Sequence, residues 1–293
     1  MTKQTEILHD PKYIAVLDHG FVGLVDSMGS DSDIVSAARV SYGDGTKSVS
    51  QDRGLIRYLV SHRHTSPIEM AEVKLHIKMP IFIMRQWVRH RTASLNEYSG
   101  RYSIMSDEFY RPTGEALAAQ SVINNQGRGD QFDPETQASV EGALDAAFNA
   151  SYTAYTNLVT PTEGYPGLAR ELARTVMPLA NYTELYWKQD LHNLLHLIKL
   201  RRDSHAQKEI QAYAEAVYTL IKPLFPLTIE AWEDYVWYGH HMSRMEGELM
   251  QLILGTDMAL EMHISITGGE KEFAEARGMS LRELRAFRAR WNV

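Results

Sequence analysis

Residues 72–90 read EVKLHIKMPIFIMRQWVRH, and the spacing of their apolar side chains changes once, at Pro80. From Glu72 to Met79 the pattern alternates, with Val73, Leu75, Ile77 and Met79 on one face and Glu72, Lys74, His76 and Lys78 on the other. A period of two is that of a half-buried strand. Pro80 then opens a helix, at the position where a missing N–H costs nothing. At about 100° per residue, Ile81, Met84, Trp87 and Val88 share a stripe. Gln86, Arg89 and His90 share the opposite side at i, i+3 and i+4, so the helix brings an amide, a guanidinium and an imidazole to one place. The stretch TASLNEYSG that follows reads as a loop.

Upstream of this unit, residues 13–25 read as two short strands around the turn Asp18-His19-Gly20. Residues 31–42 and 51–62 have the helical spacing of Ile34, Ala37 and Ala38, then of Leu55, Tyr58 and Leu59. Downstream, residues 112–133 lack sustained periodicity and predict a long loop, a candidate lid. Asp133-Pro134 caps a helix reaching about Leu158, with Val140, Leu144, Phe148, Tyr152 and Tyr155 inward. A further helix over 167–179 carries Arg170, Glu171 and Arg174.

Residues 190–201 place Leu191, Leu194, Leu195 and Ile198 on one face and His192, His196 and Lys199 on the other. Ser204 to Gln207 matches a capping box before a helix through Ile221, which Pro223 and Pro226 end. The tail adds two or three helices, one capped at Ser280 with Glu283. Strands come early and helices late, so the expected fold is α+β with a helix-rich C-terminal half. No composition break divides the chain, which predicts one domain over 1–293 with a helical tail from about 230.

The 293 residues are 44% hydrophobic and 23% charged, enough for a core without staples. There is no cysteine, so disulfides, thiolate metal sites and thiol nucleophiles are all excluded. The net charge of −7 argues against broad binding to nucleic acid or membrane surfaces. MTKQTEILHDPK has no apolar core of a signal peptide, and no run approaches the ~18 apolar residues of a membrane span. A cytoplasmic protein is the expectation.

Against that acidic background, residues 89–101, RHRTASLNEYSGR, gather four basic side chains around hydroxyls, an amide, a carboxylate and a glycine. Arginines at a helix C-terminus are often explained by the macrodipole alone. The whole segment asks for more: Arg89, Arg91 and Arg101 bracket Ser94, Asn96, Ser99 and Gly100. Guanidinium forks match phosphate oxygens at two points, and Ser99-Gly100 adds a hydroxyl and a closely approaching N–H. A small phosphate ester fits this set. The glycine spacing of a P-loop and the pattern GxGxxG are both missing.

His192 and His196 have the i, i+4 spacing of two zinc ligands, but HNLLH lacks the glutamate of HExxH and no third ligand is marked. No metal is therefore expected. Glu69, Glu97 and Asp190 read first as partners for arginines. Tyr98, Tyr102 and Trp87 read as core or pocket wall rather than as stacking platforms for single strands.

Arg89-His90-Arg91, seven residues, then Ser99 resembles the RHR-x7-S signature of flavin-dependent thymidylate synthases. RHRTASLNEYSGRYS extends the match, and MGSDSDIVSAARVSYG (28–43), HTSPIEM (64–70) and RRDSHAQKEIQAYA (201–214) agree in order. The resemblance covers most of 15–230 and implies a mostly antiparallel sheet packed with helices. It implies conversion of dUMP to dTMP with methylenetetrahydrofolate as one-carbon donor, FAD as hydride carrier and NADPH as reductant. It also implies a homotetramer with active sites where subunits meet.

Carried over residue by residue, the resemblance assigns Gln86, Arg89, Glu97, Tyr98, Ser99, Gly100, Arg101, Arg174 and Arg201 to dUMP, with Arg174 supplied by a neighbouring subunit. It assigns Ser41, Ser66, Arg89, His90, Arg91, Glu97, Asp190, His192 and His196 to FAD, and adds Glu69. Arg201 is the catalytic candidate, set against the uracil so that its charge favours the N3 anion. Guanidinium groups from separate helices should then converge on one nucleotide. Two rival readings stay open: a metal-dependent nucleotide hydrolase built on His192 and His196, and a nucleic-acid-binding module built on the arginines.

Overall fold

The structure, a computed structural model, describes residues 7–40, 52–122, 127–247 and 258–291. Tyr13–Val16 (β1) and Gly20–Met28 (β2) form the hairpin around Asp18-His19. Asp31–Arg39 (α1) and Asp52–Ser61 (α2) follow, then Glu72–Pro80 (β3), Ile81–Trp87 (α3) and Ser94–Glu97 (β4). Ala118–Gln120 (β5) and Arg128–Gln131 (β6) pair with each other, and Pro134–Val159 (α4) and Arg170–Ala173 (α5) come next. Tyr182–Asp190 (β7) leads straight into Leu191–Arg201 (α6). Lys208–Ile221 (α7) and Pro226–Trp232 (α8) follow, and α8 runs into one π-helical turn, Glu233–Trp237. The tail is Met258–Thr267 (α9), Glu270–Glu275 (α10) and Leu281–Trp291 (α11).

The main sheet has the order β1-β2-β3-β7-β4 and every neighbouring pair is antiparallel. This is the α+β architecture foreseen from the sequence. Val73, Leu75, Ile77 and Met79 are buried as the alternation requires, and with Leu185 and Trp187 of β7 they pack against α3, α6 and α7. The other face of β3 departs from expectation, because His76 and Lys78 are only 7% and 8% exposed. Each is buried with a partner: His76 lies between the Tyr13 hydroxyl (3.1 Å) and Glu184 (2.6 Å), and Lys78 donates to Glu108 at 2.8 Å. A buried polar group is tolerated when it is hydrogen-bonded.

Two strands of the main sheet were not foreseen. β7 pairs along its whole length with β3, from Glu72↔Asp190 to Pro80↔Tyr182, and β4 pairs with β7 from Ser94↔Lys188 to Glu97↔Leu185. The inward row of β7 includes polar Thr183 and Gln189, which breaks the alternation; β4 is exposed at all four positions and reads as loop. Helix 167–179 shrinks to α5 plus a 3₁₀ turn at Arg174–Val176. The capping box at Ser204 does not form, since α7 starts at Lys208 after Gln207. The described part of 112–133 is a hairpin rather than an open loop, tied down where Arg128 donates to the buried Glu209 at 2.5 Å and Tyr110 donates to the same oxygen at 2.8 Å.

The tail has its own small cluster of Ile264, Phe273, Ala274 and Leu284, and its capping box at Ser280 and Glu283 is formed. Arg57 of α2, 5% exposed, joins it to the body by donating to Glu283 (2.7 Å) and Asp234 (2.5 Å). Among the described residues no helix is long and apolar enough to cross a membrane.

Candidate active site

Asp190 begins α6 as its cap, accepting from the Asn193 N–H (2.9 Å) and side-chain amide (2.8 Å). Leu191, Leu194, Leu195, Leu197 and Ile198 bury one side of the helix, which fixes its rotation. Arg201 therefore sits in the last turn, where a cation meets the negative end of the macrodipole. Its Nε donates to His90 Nε2 at 3.0 Å and a terminal nitrogen donates to the Gln86 carbonyl at 3.2 Å. The Gln86 side chain donates to Gln207 Oε1 at 2.6 Å. The face read from helical spacing, Gln86 and His90, is thus joined to Arg201 from more than a hundred positions away.

His90 is buried, and its pKa is pushed down to about 4, first by burial, then by the positive field of Arg201 and by His196. It is therefore neutral near pH 7. With Nε2 accepting from Arg201, the ring proton is on Nδ1, a donor still available to a ligand. Burial also lowers the Arg201 pKa, though guanidinium stays charged. Arg201, Gln86 and Gln207 line one cleft of about 490 Å³ together with Lys199.

Lys199 also lines a neighbouring cavity of about 560 Å³, shared by His192 and His196 of the same helix and by His64 and Arg63 of the segment after α2. The His196 and His90 rings are 6.1 Å apart, so cavity and Arg201 group adjoin. Leu59, Val60, Ile68 and Leu195 make part of it apolar, and among the described residues no carboxylate lines it. Ser66 lines a different hollow of about 630 Å³, beside Val40 and Tyr58. Ser41 lies outside the described residues. Glu69 is in a 3₁₀ turn at Ile68–Met70, half-buried. Among the described residues no three His, Asp or Glu side chains are grouped as metal ligands.

A second group forms beyond β4. Glu97 accepts from the Thr183 hydroxyl at 2.7 Å, and the Tyr98 hydroxyl donates to the Ile104 carbonyl at 2.6 Å, closing the loop that carries Ser99, Gly100 and Arg101. Ser99 Oγ accepts from the Arg101 N–H at 3.3 Å, and the Arg101 side chain lies 3.3 Å from Glu171, both half exposed. Gly100 is buried against Met105 and Arg174: a Cβ there would stand 3.2 Å from Met105 and 3.4 Å from Arg174 Cδ. Arg174 thus lies beside Gly100 within the chain, where the turn after α5 folds back over the loop. No hydrogen bond, ion pair or ring contact among the described residues joins the Arg101 group to the Arg201 group.

Several arginines of this acidic chain have a carboxylate partner, as Arg39, Arg53, Arg57, Arg111, Arg128 and Arg202 do. Among the described residues Arg89, Arg91, Arg174 and Arg201 make no such pair, and the first three are exposed. Four of the arginines assigned through the resemblance are thus left without a carboxylate, whereas Arg101 is paired with Glu171. Two participants were not singled out. Gln207 was read as a cap, and Lys199 merely shared the face of His192 and His196; only the folded chain shows that both border the Arg201 cleft.

The family described as thymidylate synthase complementing protein matches residues 23–227, which include both groups. Flavin-dependent thymidylate synthase of Wolbachia pipientis is 49% identical over 260 residues, 89% of each chain. That of Gluconobacter oxydans is 54% identical over 220 residues, 75% of this chain and 72% of its own. The UMP/dUMP methylase PolB from Streptomyces cacaoi, solved with 5-Br UMP, superposes with a TM-score of 0.65 at 34% identity over 75% of this chain and 96% of its own. Taken with the signature and the unpaired arginines, these matches place the chain in the flavin-dependent thymidylate synthase family.

Proposed function

We propose that this enzyme methylates dUMP reductively to dTMP, with methylenetetrahydrofolate as carbon donor, FAD as hydride carrier and NADPH as reductant, working as a homotetramer in the cytoplasm. The observation that carries the reading is Arg201: half-buried, without a carboxylate, and held by His90 and Gln86 beside a cavity lined with imidazoles. The cavity suits FAD, because its apolar residues accept a flat ring and its cationic residues, with no carboxylate beside them among the described residues, accept phosphate. His192 and His196 would hold it, with Ser66 in the adjoining hollow that shares Leu59 and His64, whereas the Asp190 carboxylate is already engaged as a helix cap. When bound, FAD supplies the hydride that the protein itself has no group to deliver.

The chain's own residues prepare the nucleotide. Two of the Arg201 nitrogens are fixed by His90 and Gln86, which aims the third at a ligand in the cleft. A guanidinium beside uracil N3 stabilises the ring anion, and each unit of lowered pKa corresponds to about 1.4 kcal/mol. The anionic ring is richer in electrons at C5, where the one-carbon unit must join. His90, kept neutral, donates from Nδ1 without competing with Arg201 for negative charge. The phosphate falls to the Ser99 hydroxyl, the Gly100 N–H, Arg101 and Arg174. Ser99 serves as a contact rather than a nucleophile, since no activating base lies within hydrogen-bond reach among the described residues.

In the homotetramer the site is completed where the Arg201 group of one subunit faces the Ser99–Arg101 group of another. At dUMP well below saturation, mixing Arg201→Ala with Arg101→Ala protein should then give more activity than either alone, because some mixed sites hold two intact halves. No recovery after subunit exchange would refute shared sites. The reaction itself is tested by tritium release from [5-³H]dUMP: release that requires NADPH and methylenetetrahydrofolate supports the reading, and none under any combination rejects it.

A further inference from the structure

We propose that His240 and His241, on the segment just beyond the π-helical turn, hold the phosphate end of FAD together with Lys199. This rests on the reading that FAD occupies the cavity beside His192 and His196. The far wall of that cavity is not made by the part of the chain that matches the family, which ends at residue 227. It is made by Trp232, Tyr235 and Val236 of α8 and the π-helical turn, and then by His240 and His241 at its mouth.

The segment is held there by its own packing. Trp237 stacks on Trp232 with ring centres 5.8 Å apart, and the Arg202 guanidinium lies over both Trp237 (4.7 Å) and Tyr218 (4.0 Å). Arg202 follows Arg201 at the end of α6, so the turn is fastened to the helix that carries His192, His196 and Lys199. At Gly239 the chain passes so close to the turn that a Cβ would stand 2.3 Å from the Tyr235 carbonyl oxygen. Only glycine allows that approach, and the next two residues are thereby aimed at α6. His241 Nε2 comes to 3.4 Å from Lys199 Nζ.

The Lys199 ammonium and the imidazoles gather at the solvent-facing side of the cavity, and among the described residues no carboxylate lines it, Asp203 lying in the adjoining cleft. A cluster of nitrogen donors open to solvent suits an anion. The Lys199 ammonium and two imidazole N–H groups supply donors for the oxygens of a pyrophosphate, and the apolar residues lie inward of them. The placement orients the cofactor: phosphates at the mouth, ring toward His90 and Arg201.

The test is direct titration of the flavin-free protein with FAD and with riboflavin, followed by flavin fluorescence. The wild type should bind FAD more tightly than riboflavin. In the double variant His240→Ala/His241→Ala, FAD should weaken by about tenfold or more while riboflavin is unchanged, as for loss of charge-assisted hydrogen bonds. Gly239→Ala, which keeps both imidazoles but forces the backbone beneath them to shift, should weaken FAD by a smaller factor and leave riboflavin binding unchanged. FAD affinity unchanged in the double variant, or riboflavin weakened as much as FAD, overturns the assignment. The control His192→Ala/His196→Ala separates the two levels. If it weakens FAD and the tail variant does not, only the tail's role falls; if neither does, FAD is not in this cavity and the reading beneath also falls.

Discussion

Arg201 and Arg101 are both assigned to the same nucleotide, yet the chain builds their surroundings in opposite ways. Arg201 is partly buried, and two of its nitrogens are used by His90 and the Gln86 carbonyl, which are themselves anchored to α3 and Gln207. Arg101 is half exposed on a loop, with the equally exposed Glu171 at 3.3 Å and the Tyr102 ring 5.8 Å from its guanidinium. The first group is finished before a ligand arrives, whereas the second, on the proposed reading, is finished by the ligand and a facing subunit. Preorganisation suits the step in which charge develops on the uracil, while an open arginine suits capture of a phosphate from water.

That contrast can be broken in order of effect. Arg201→Ala should cost roughly 10²–10³ in turnover, as for other lost transition-state donors, and also lower stability, because the His90 and Gln86 acceptors lose their partner. Arg201→Lys keeps the charge but not the two-point fork; unchanged turnover at saturating dUMP would reject the role. Next is His90. Its usual pKa of 6.5 is lowered to about 4 in the fold, so the unfolded chain takes up its proton first as pH falls. The native state should lose about 3 kcal/mol between pH 6.5 and 4 from this group, and regain none below. Melting curves of His90→Asn should be flatter over that window than those of the wild type.

At the open site the effects fall on binding. Arg101→Ala should raise KM for dUMP by roughly tenfold to a hundredfold, the worth of a charged hydrogen bond, with the melting temperature unchanged. A loss of stability there would show that this group is prebuilt too. Gly100→Ala puts a methyl 3.2 Å from Met105 and 3.4 Å from Arg174 Cδ. The side chains must give way, and dUMP should bind severalfold more weakly, about 1 kcal/mol. Glu171→Gln is the smallest change: an exposed pair contributes about 0–1 kcal/mol, and removing the competing carboxylate should leave stability level and slightly tighten dUMP.

Much of the fold was legible wherever a single periodicity held. The alternation at 72–79, the Asp133 cap and the leucine stripe of α6 each formed as read, since each depends on neighbours in sequence. β7 was missed because its buried row includes Thr183 and Gln189; the polar atoms of both are satisfied only by the folded chain, where Thr183 donates to Glu97 and Gln189 accepts from Trp187. The capping box at Ser204 failed for a similar reason: Gln207 is taken by Gln86 from a distant helix.

From the sequence alone came the family signature, the absence of any thiol chemistry, the α+β order and most of the residues that matter, because composition and local spacing are carried by residues next to one another. Tertiary structure alone decided that Arg201 grips His90, that Arg174 lies beside Gly100, and that the tail walls the cavity. Those pairings depend on strand register and helix rotation, which are set by burying many side chains at once and are written in no short stretch of the chain.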